Sequence, residues 1–91
     1  MDENIPVPIS IVFQIYQHNQ NKEPLWYRKL MNLISKDYTH KEISVALDKL
    51  MEFGFVEKRW VRLDTGWYQT YHIIDKVQPS VKRLISPYYL V

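Results

Sequence analysis

THKEISVALDKLMEFG, residues 39–54, is the most informative stretch of the sequence, because it carries the signals of a helix and of both helix ends. Thr39 and Glu42 have the three-residue spacing of a capping box, in which each side chain accepts a hydrogen bond from the other residue's backbone N–H. Gly54 stands where a helix end favours a left-handed residue. The sequence therefore predicts a helix over residues 39–53, with one face to bury and one face to expose. The buried face has the i, i+3, i+4, i+7 spacing and consists of Ile43, Ala46, Leu47 and Leu50.

A β-hairpin is predicted directly after this helix, over residues 55–74. FVEKRWVRL (55–63) and WYQTYHII (67–74) are rich in aromatic and β-branched residues, which favour strands. Asp64, Thr65 and Gly66 predict a three-residue loop with the glycine in the left-handed conformation. Side chains alternate along a strand. One face of the second strand therefore carries Trp67, Gln69, Tyr71 and Ile73.

Two helices are predicted before this pair and one after it. Residues 8–18 carry the apolar stripe Ile9, Val12, Phe13 and Tyr16, and further isoleucines on a second side let this helix contact more than one neighbour. Pro24 fits the first position of a helix over residues 24–34. The turn between this helix and residue 39 is then about four residues long, which is the length found in a helix-turn-helix pair. A last helix is predicted over residues 79–86, and residues 1–7 form a flexible arm.

Composition limits the class of protein. The chain has 91 residues, enough for one domain, and 46% of them are hydrophobic, so it should fold. There is no cysteine, no signal peptide, and no apolar run near the roughly 20 residues that a membrane span requires. We therefore expect a soluble, cytoplasmic protein. Its net charge of +2 permits nucleic-acid binding without requiring it.

The residue pattern gives little sign of catalysis or of a cofactor. His18, His40 and His72 show no metal-ligand spacing with one another or with carboxylates. No serine stands in the context of a nucleophile elbow. Two glycines are too few for a Gly-rich phosphate loop. We therefore expect a protein that is not an enzyme and that holds neither metal nor cofactor.

The second helix of a short-turn pair and the hairpin carry residue types that suit DNA. An α-helix fits the major groove, and its N-terminal N–H groups attract phosphate. In the 39–53 helix, the candidate DNA contacts of this kind are Thr39, His40, Lys41 and Ser44. The hairpin adds Lys58, Arg59 and Arg62, with Trp60 and Trp67 among them; basic residues interleaved with aromatics suit a phosphate backbone.

Structural interpretations of the same residues remain open. Lys41 and Lys49 are either solvated charges or phosphate contacts. Trp60 and Trp67 are either cross-strand core partners or part of a binding surface. Two acidic residues on the outward helix face repel phosphate and count against DNA binding, namely Asp48 and Glu52.

The order helix, helix, helix, hairpin, helix resembles a winged helix-turn-helix domain, and the sequence is similar to small PadR-like and MarR-like regulators of archaea and bacteria. Four passages carry this resemblance: LWYRKL (25–30), ISVALDKL (43–50), EFGFVEK (52–58) and YHI (71–73). The resemblance covers about residues 8–86. It implies an α+β fold with a three-helix core, a two-stranded antiparallel wing and a short C-terminal helix.

The resemblance also implies a transcriptional regulator that binds double-stranded DNA. The family's base-reading positions correspond to His40, Lys41, Ser44 and Val45, and Lys49 follows on the same helix. Its wing positions correspond to Arg62, Asp64, Thr65 and Gly66, with Arg59 nearby. Many relatives have arginine in place of Val45, which can touch a thymine methyl group but cannot bridge guanine.

Two further expectations concern partners. One small winged helix makes few DNA contacts, so we expect a homodimer that binds paired half-sites. Its predicted surfaces are the spare apolar side of the first helix and the tail YYLV (88–91). Winged helices also serve as protein-contact modules, so a protein-interaction domain without DNA affinity is the alternative.

Overall fold

The computed structural model describes residues 5–89 of the chain. Three helices come first: α1 (Val7–Gln20), α2 (Tyr27–Ile34) and α3 (His40–Glu52). An antiparallel hairpin of β1 (Val56–Leu63) and β2 (Gly66–Ile73) follows, and a 3-10 turn (Asp75–Val77) leads into α4 (Gln78–Ile85). This is the predicted winged helix-turn-helix fold. None of the helices within residues 5–89 is long and apolar enough to cross a membrane.

Both ends of α3 form as the sequence predicts. The Thr39 N–H donates to Glu42 Oε1 at 2.8 Å, and the Glu42 N–H donates to Thr39 Oγ1 at 3.1 Å, which completes the capping box. Gly54 has a φ of +83°. Around it, the Phe55 N–H donates to the Leu50 carbonyl at 2.9 Å, in the pattern of a Schellman motif. Local signals alone are therefore sufficient to define α3.

The second helix begins three residues later than predicted, at Tyr27 instead of Pro24. Leu25 is fully buried, and its carbonyl accepts a hydrogen bond from the Tyr71 N–H at 2.9 Å. Trp26 continues this extended conformation, with φ −107° and ψ 172°. The prediction was wrong because residues 25–26 lie beside β2 like a short third strand, which a helix could not do.

The loop of the hairpin is also shorter than predicted. Leu63 pairs with Gly66, so only Asp64 and Thr65 lie between the strands. Gly66 has a positive φ of +137°, but it is the first residue of β2 and not part of the loop. The strands accordingly cover residues 56–73 instead of 55–74. Outside the ladder, the Ile74 N–H still donates to the Phe55 carbonyl at 3.0 Å.

Asn19 closes the outer edge of β2. Its Nδ2 donates to the Tyr71 carbonyl at 3.2 Å, and its Oδ1 accepts from the Ile73 N–H at 2.9 Å. Together with Leu25, this side chain supplies partners for the strand edge that β1 does not cover. The inner end of the wing is thereby fixed to the helical core.

The core lies among the four helices and the inner end of the hairpin. Helix α1 contacts α2, α3, α4 and β2, as its two apolar sides predict. Its most buried side carries Ile11 and Ile15, whereas Phe13 and Tyr16 on the predicted main stripe are only half-buried. The buried hydrophobic residues are Ile11, Val12, Ile15, Leu25, Leu30, Met31, Ile34, Ile43, Leu47, Leu50, Val56, Tyr71, Ile73, Val81 and Ile85.

The spare apolar side of α1, which was predicted to mediate dimerisation, carries Ile11 and Ile15, and both are fully buried in the core, so this surface was predicted wrongly. Part of the predicted tail surface is also used within the chain. The Phe13 and Tyr89 rings stack with their centroids 3.6 Å apart. Leu90 and Val91 of the predicted dimer surface lie outside the described residues, as do residues 1–4 of the predicted arm. Helix α1 begins at Val7, one residue earlier than predicted, and ends at Gln20, two residues later than predicted.

Candidate nucleic-acid interface

The candidate residues of α3 lie on the helix face that points away from the core. Thr39, His40, Lys41, Val45 and Lys49 are exposed, and Ser44 is half-buried. The opposite face is buried in the core through Ile43, Leu47 and Leu50. As predicted, the helix therefore presents a free surface that begins at its N-terminus.

The charge on this surface changes along the helix. Lys41 lies in the first turn, close to the N-terminus, whose partial positive charge favours phosphate. Asp48 and Glu52 are exposed in the second half of the helix. Lys49 lies between these two acids, and the exposed Glu42 opposes Lys41 in the first turn. The N-terminal half is therefore suited to phosphate mainly through the free N–H groups of the helix end.

An apolar groove of about 700 Å³ flanks α3 on the side of α1. Val7 and Pro8 form one wall, and Val45, Ala46 and Phe53 are part of the other. This groove was not predicted from the sequence. Phe53, whose side chain is 67% exposed, was the available signal, because it extends the apolar stripe by one more residue at the end of the helix, beside Ala46.

The hairpin separates its basic residues onto two faces. The register pairs Lys58 with Tyr71, Trp60 with Gln69 and Arg62 with Trp67, and cross-strand partners share a face. We call the outer part of this face, formed by five exposed side chains, the tryptophan face: Lys58, Trp60, Arg62, Trp67 and Gln69.

Both tryptophans of this face point into solvent. Trp60 is 64% exposed and Trp67 is 60% exposed, so the interpretation as core partners is wrong. The Arg62 guanidinium carbon lies 5.9 Å from the centroid of the Trp67 ring, within cation–π range. The tryptophan face therefore combines aromatic surface with positive charge.

The opposite face of the hairpin holds Arg59, apart from the other basic residues. Its Nε donates to Glu57 Oε2 at 2.7 Å, so a neighbouring carboxylate offsets its charge. Burial and the nearby Arg59 lower the pKa of His72 on this face, with a smaller opposing effect of Glu57. Farther out, the Tyr68 ring stacks on Trp26 with centroids 5.2 Å apart. This face is thus less positive and more covered than the tryptophan face.

The tip of the wing holds the last two candidate residues. Thr65 is exposed in the loop, and its Oγ1 is hydrogen-bonded to the Tyr68 hydroxyl at 2.6 Å. Gly66 is half-buried at the start of β2 and offers backbone alone. The tip also carries the exposed carboxylate of Asp64. Its contribution to an interface is therefore steric and polar, not cationic.

Tyr71 lies at the inner end of the hairpin, opposite Lys58. It is buried on the same strand face as the two tryptophans. Burial, with smaller contributions from Tyr27 and from Asp48 of α3, raises its pKa to about 12. The tryptophan face therefore begins beyond a residue that is itself packed in the core.

The three histidines were considered as metal ligands in the sequence, and the structure shows where two of them lie. Within residues 5–89, no group of three or more His, Asp or Glu side chains is placed to hold a metal ion. A cavity between α1 and the hairpin contains His18 and His72. His18 Nδ1 lies 2.8 Å from the Gln14 carbonyl, and His72 Nε2 lies 2.7 Å from Thr70 Oγ1, so both rings make hydrogen bonds within the protein.

The fold and this surface define a winged-helix domain. Among solved structures, the circadian clock associated protein Pex from Anabaena is similar, with a TM-score of 0.66 and 12% sequence identity. The likeness covers 92% of this chain and 77% of that chain. At this identity it establishes the fold alone. No family model matches the sequence, and no curated protein does.

Proposed function

We propose that this protein is a transcriptional regulator that binds double-stranded DNA, related in kind to the PadR-like and MarR-like proteins that its sequence resembles. Helix α3 enters the major groove, with His40, Lys41 and Ser44 toward the bases. The observation that carries this proposal is that α3, the second helix of the helix-turn-helix pair, has an exposed outer face beginning at its N-terminus. This is the element that reads DNA in such motifs.

The wing adds contacts to the flanking backbone. Lys58 and Arg62 lie on one face of the hairpin, and that face has no carboxylate. Such cations fix a protein on the duplex without reading its sequence. The protein acts by occupying its site in the cytoplasm, with no reaction catalysed. Val45 contributes at most an apolar contact, which favours a thymine methyl group.

We further propose that the regulator is a homodimer. A dimer that binds two half-sites at once has a higher overall affinity for DNA, although neither copy gains contacts to its own half-site. Since Ile11 and Ile15 on the spare side of α1 are buried in the core, the surface on α1 is replaced in this proposal by the end of α4. Leu84 and Tyr88 are both exposed there and are four residues apart in a segment that continues to turn beyond the helix.

The test is fluorescence anisotropy of a labelled generic duplex, titrated from about 50 to about 200 mM salt. We expect affinity to fall steeply with salt. Lys41→Ala should weaken binding and reduce the slope of log K against log salt by about 1. Lys82→Ala removes the same charge from the exposed surface of α4 and is the matched control. Absence of binding at the lowest salt, or equal behaviour of the two variants, would reject the proposal.

A protein-interaction domain is the second candidate, and the groove between α1 and α3 favours it. Val45 and Phe53 expose apolar surface on the helix that would otherwise meet DNA. Exposed apolar surface of this kind marks interfaces. A protein crosslink that Phe53→Ser abolishes, in a chain without duplex affinity at low salt, would support this function over DNA binding.

A further inference from the structure

We propose that the tryptophan face of the hairpin, whose Lys58 and Arg62 also serve the duplex backbone in the proposed function, binds single-stranded nucleic acid through its two indole rings. Unpaired bases stack on Trp60 and Trp67, and Lys58 and Arg62 contact the phosphates between them. This site goes beyond the duplex binding proposed for α3, and it uses a different chemistry.

The exposure of the two indoles is the first observation. Large aromatic side chains carry much apolar surface, yet Trp60 and Trp67 keep 64% and 60% of theirs in water. They are diagonal neighbours, because Trp60 pairs with Gln69 and Arg62 pairs with Trp67. Diagonal positions of this kind are roughly 7–8 Å apart. Both rings are therefore within reach of bases that are close together on one strand.

Charge complementarity is the second observation. Lys58 and Arg62 lie on the same strand face as the tryptophans, whereas Glu57 and the Arg59 paired with it lie on the other. The Arg62 guanidinium is already placed over the Trp67 ring at 5.9 Å, which adds a planar cation to the stacking surface. Aromatic rings interleaved with cations along a groove or face are the features by which proteins hold single strands.

The chemistry of the surface selects unpaired bases over an intact duplex. Within a duplex, each base face is stacked on its neighbours, and only the base edges face the grooves. An indole ring on a hairpin gains its stacking energy only from a base whose face is free. Single-stranded DNA and single-stranded RNA share this property, and the experiment below separates them.

The test measures binding of three labelled strands of about 15 nucleotides: oligo-dT, oligo-rU and an abasic DNA strand of equal length. We expect the oligonucleotides with bases to bind and to quench tryptophan fluorescence. Trp60→Leu and Trp67→Leu should each weaken this binding on the order of tenfold. Phe53→Leu replaces an exposed aromatic residue outside the hairpin and should leave it unchanged. Preference for oligo-dT or for oligo-rU identifies the natural strand.

Several results would overturn the stacking site. Equal affinity for the abasic strand would show that phosphates alone are bound. Equal losses in the tryptophan variants and in Phe53→Leu would show that the indoles have no special role. A protein contact that depends on Trp60, with no single-strand binding, would assign the face to a protein partner. All three variants are changes at exposed sites, and circular dichroism is the check that each of them folds.

The same variants keep this proposal separate from the duplex proposal. Lys41→Ala should weaken duplex binding and leave single-strand binding unchanged, because Lys41 lies on α3. Trp60→Leu should weaken single-strand binding and leave duplex binding unchanged. Absence of one of the two activities from the wild-type protein would therefore reject one proposal and leave the other standing, whereas parallel losses of both activities in each variant would reject the stacking site as separate from α3.

Discussion

Tyr71 is buried at the inner end of the hairpin, and this burial makes the protein less stable as the pH becomes alkaline. An unfolded tyrosine has a pKa near 10.0, while burial raises the pKa of Tyr71 to about 12 in the folded chain. Between these values the unfolded chain loses a proton that the folded chain keeps. The contribution of Tyr71 to stability is therefore complete below pH 10 and is lost as the pH rises toward 12.

Urea unfolding at about pH 9 and about pH 11 tests this dependence. We expect the free energy of unfolding to fall between these values in the wild type, and to fall less in Tyr71→Phe, which has no proton to lose. Tyr88→Phe is the control, since it removes the same hydroxyl group from an exposed position. An unchanged fall in Tyr71→Phe would assign the effect to other groups.

At the scale of elements, the attachment of the wing depends on one amide side chain. Asn19→Ala removes the donor to the Tyr71 carbonyl and the acceptor for the Ile73 N–H. Unsatisfied backbone groups at a partly buried edge cost about 2 kcal/mol of unfolding free energy. Asn32→Ala, an exposed change in α2, should cost much less. Urea unfolding measures both, and faster hydrogen exchange at the Ile73 amide should accompany the Asn19 variant. Equal stability of the two variants would contradict this role.

The elements also show how far sequence reasoning extends. The start and end of α3 were predictable because Thr39 and Gly54 act through neighbours a few residues away. Asn19 and Ile73 are 54 residues apart, and no local pattern indicates their hydrogen bond. The same non-local pairing keeps Leu25 extended and delays α2. Local periodicity thus predicts which elements form, whereas their boundaries depend on contacts between distant segments.

In the candidate site, too, local patterns predicted some features, and others depended on contacts between distant segments. Alternation along the strands correctly grouped residues by face, because that grouping needs no knowledge of the core. Whether a face is covered depends on how far the hairpin extends beyond the helices. For this reason Tyr71 is buried while Trp67, four residues earlier on the same face, is exposed. The groove beside Phe53 was missed because it forms between α3 and the start of α1.

At the scale of the whole molecule, the proposed dimer is tested at the end of α4. In a two-fold interface each residue occurs twice, so Leu84→Glu places two carboxylates in or near the contact. We expect this variant to sediment as a monomer and to bind a duplex with paired half-sites at least about tenfold more weakly. Leu33→Glu is the matched control, because Leu33 on α2 is 41% exposed and Leu84 is 42% exposed. A wild-type chain that sediments as a monomer at all concentrations would reject the dimer. Its salt-dependent duplex binding would then have to come from one copy of α3 and one wing.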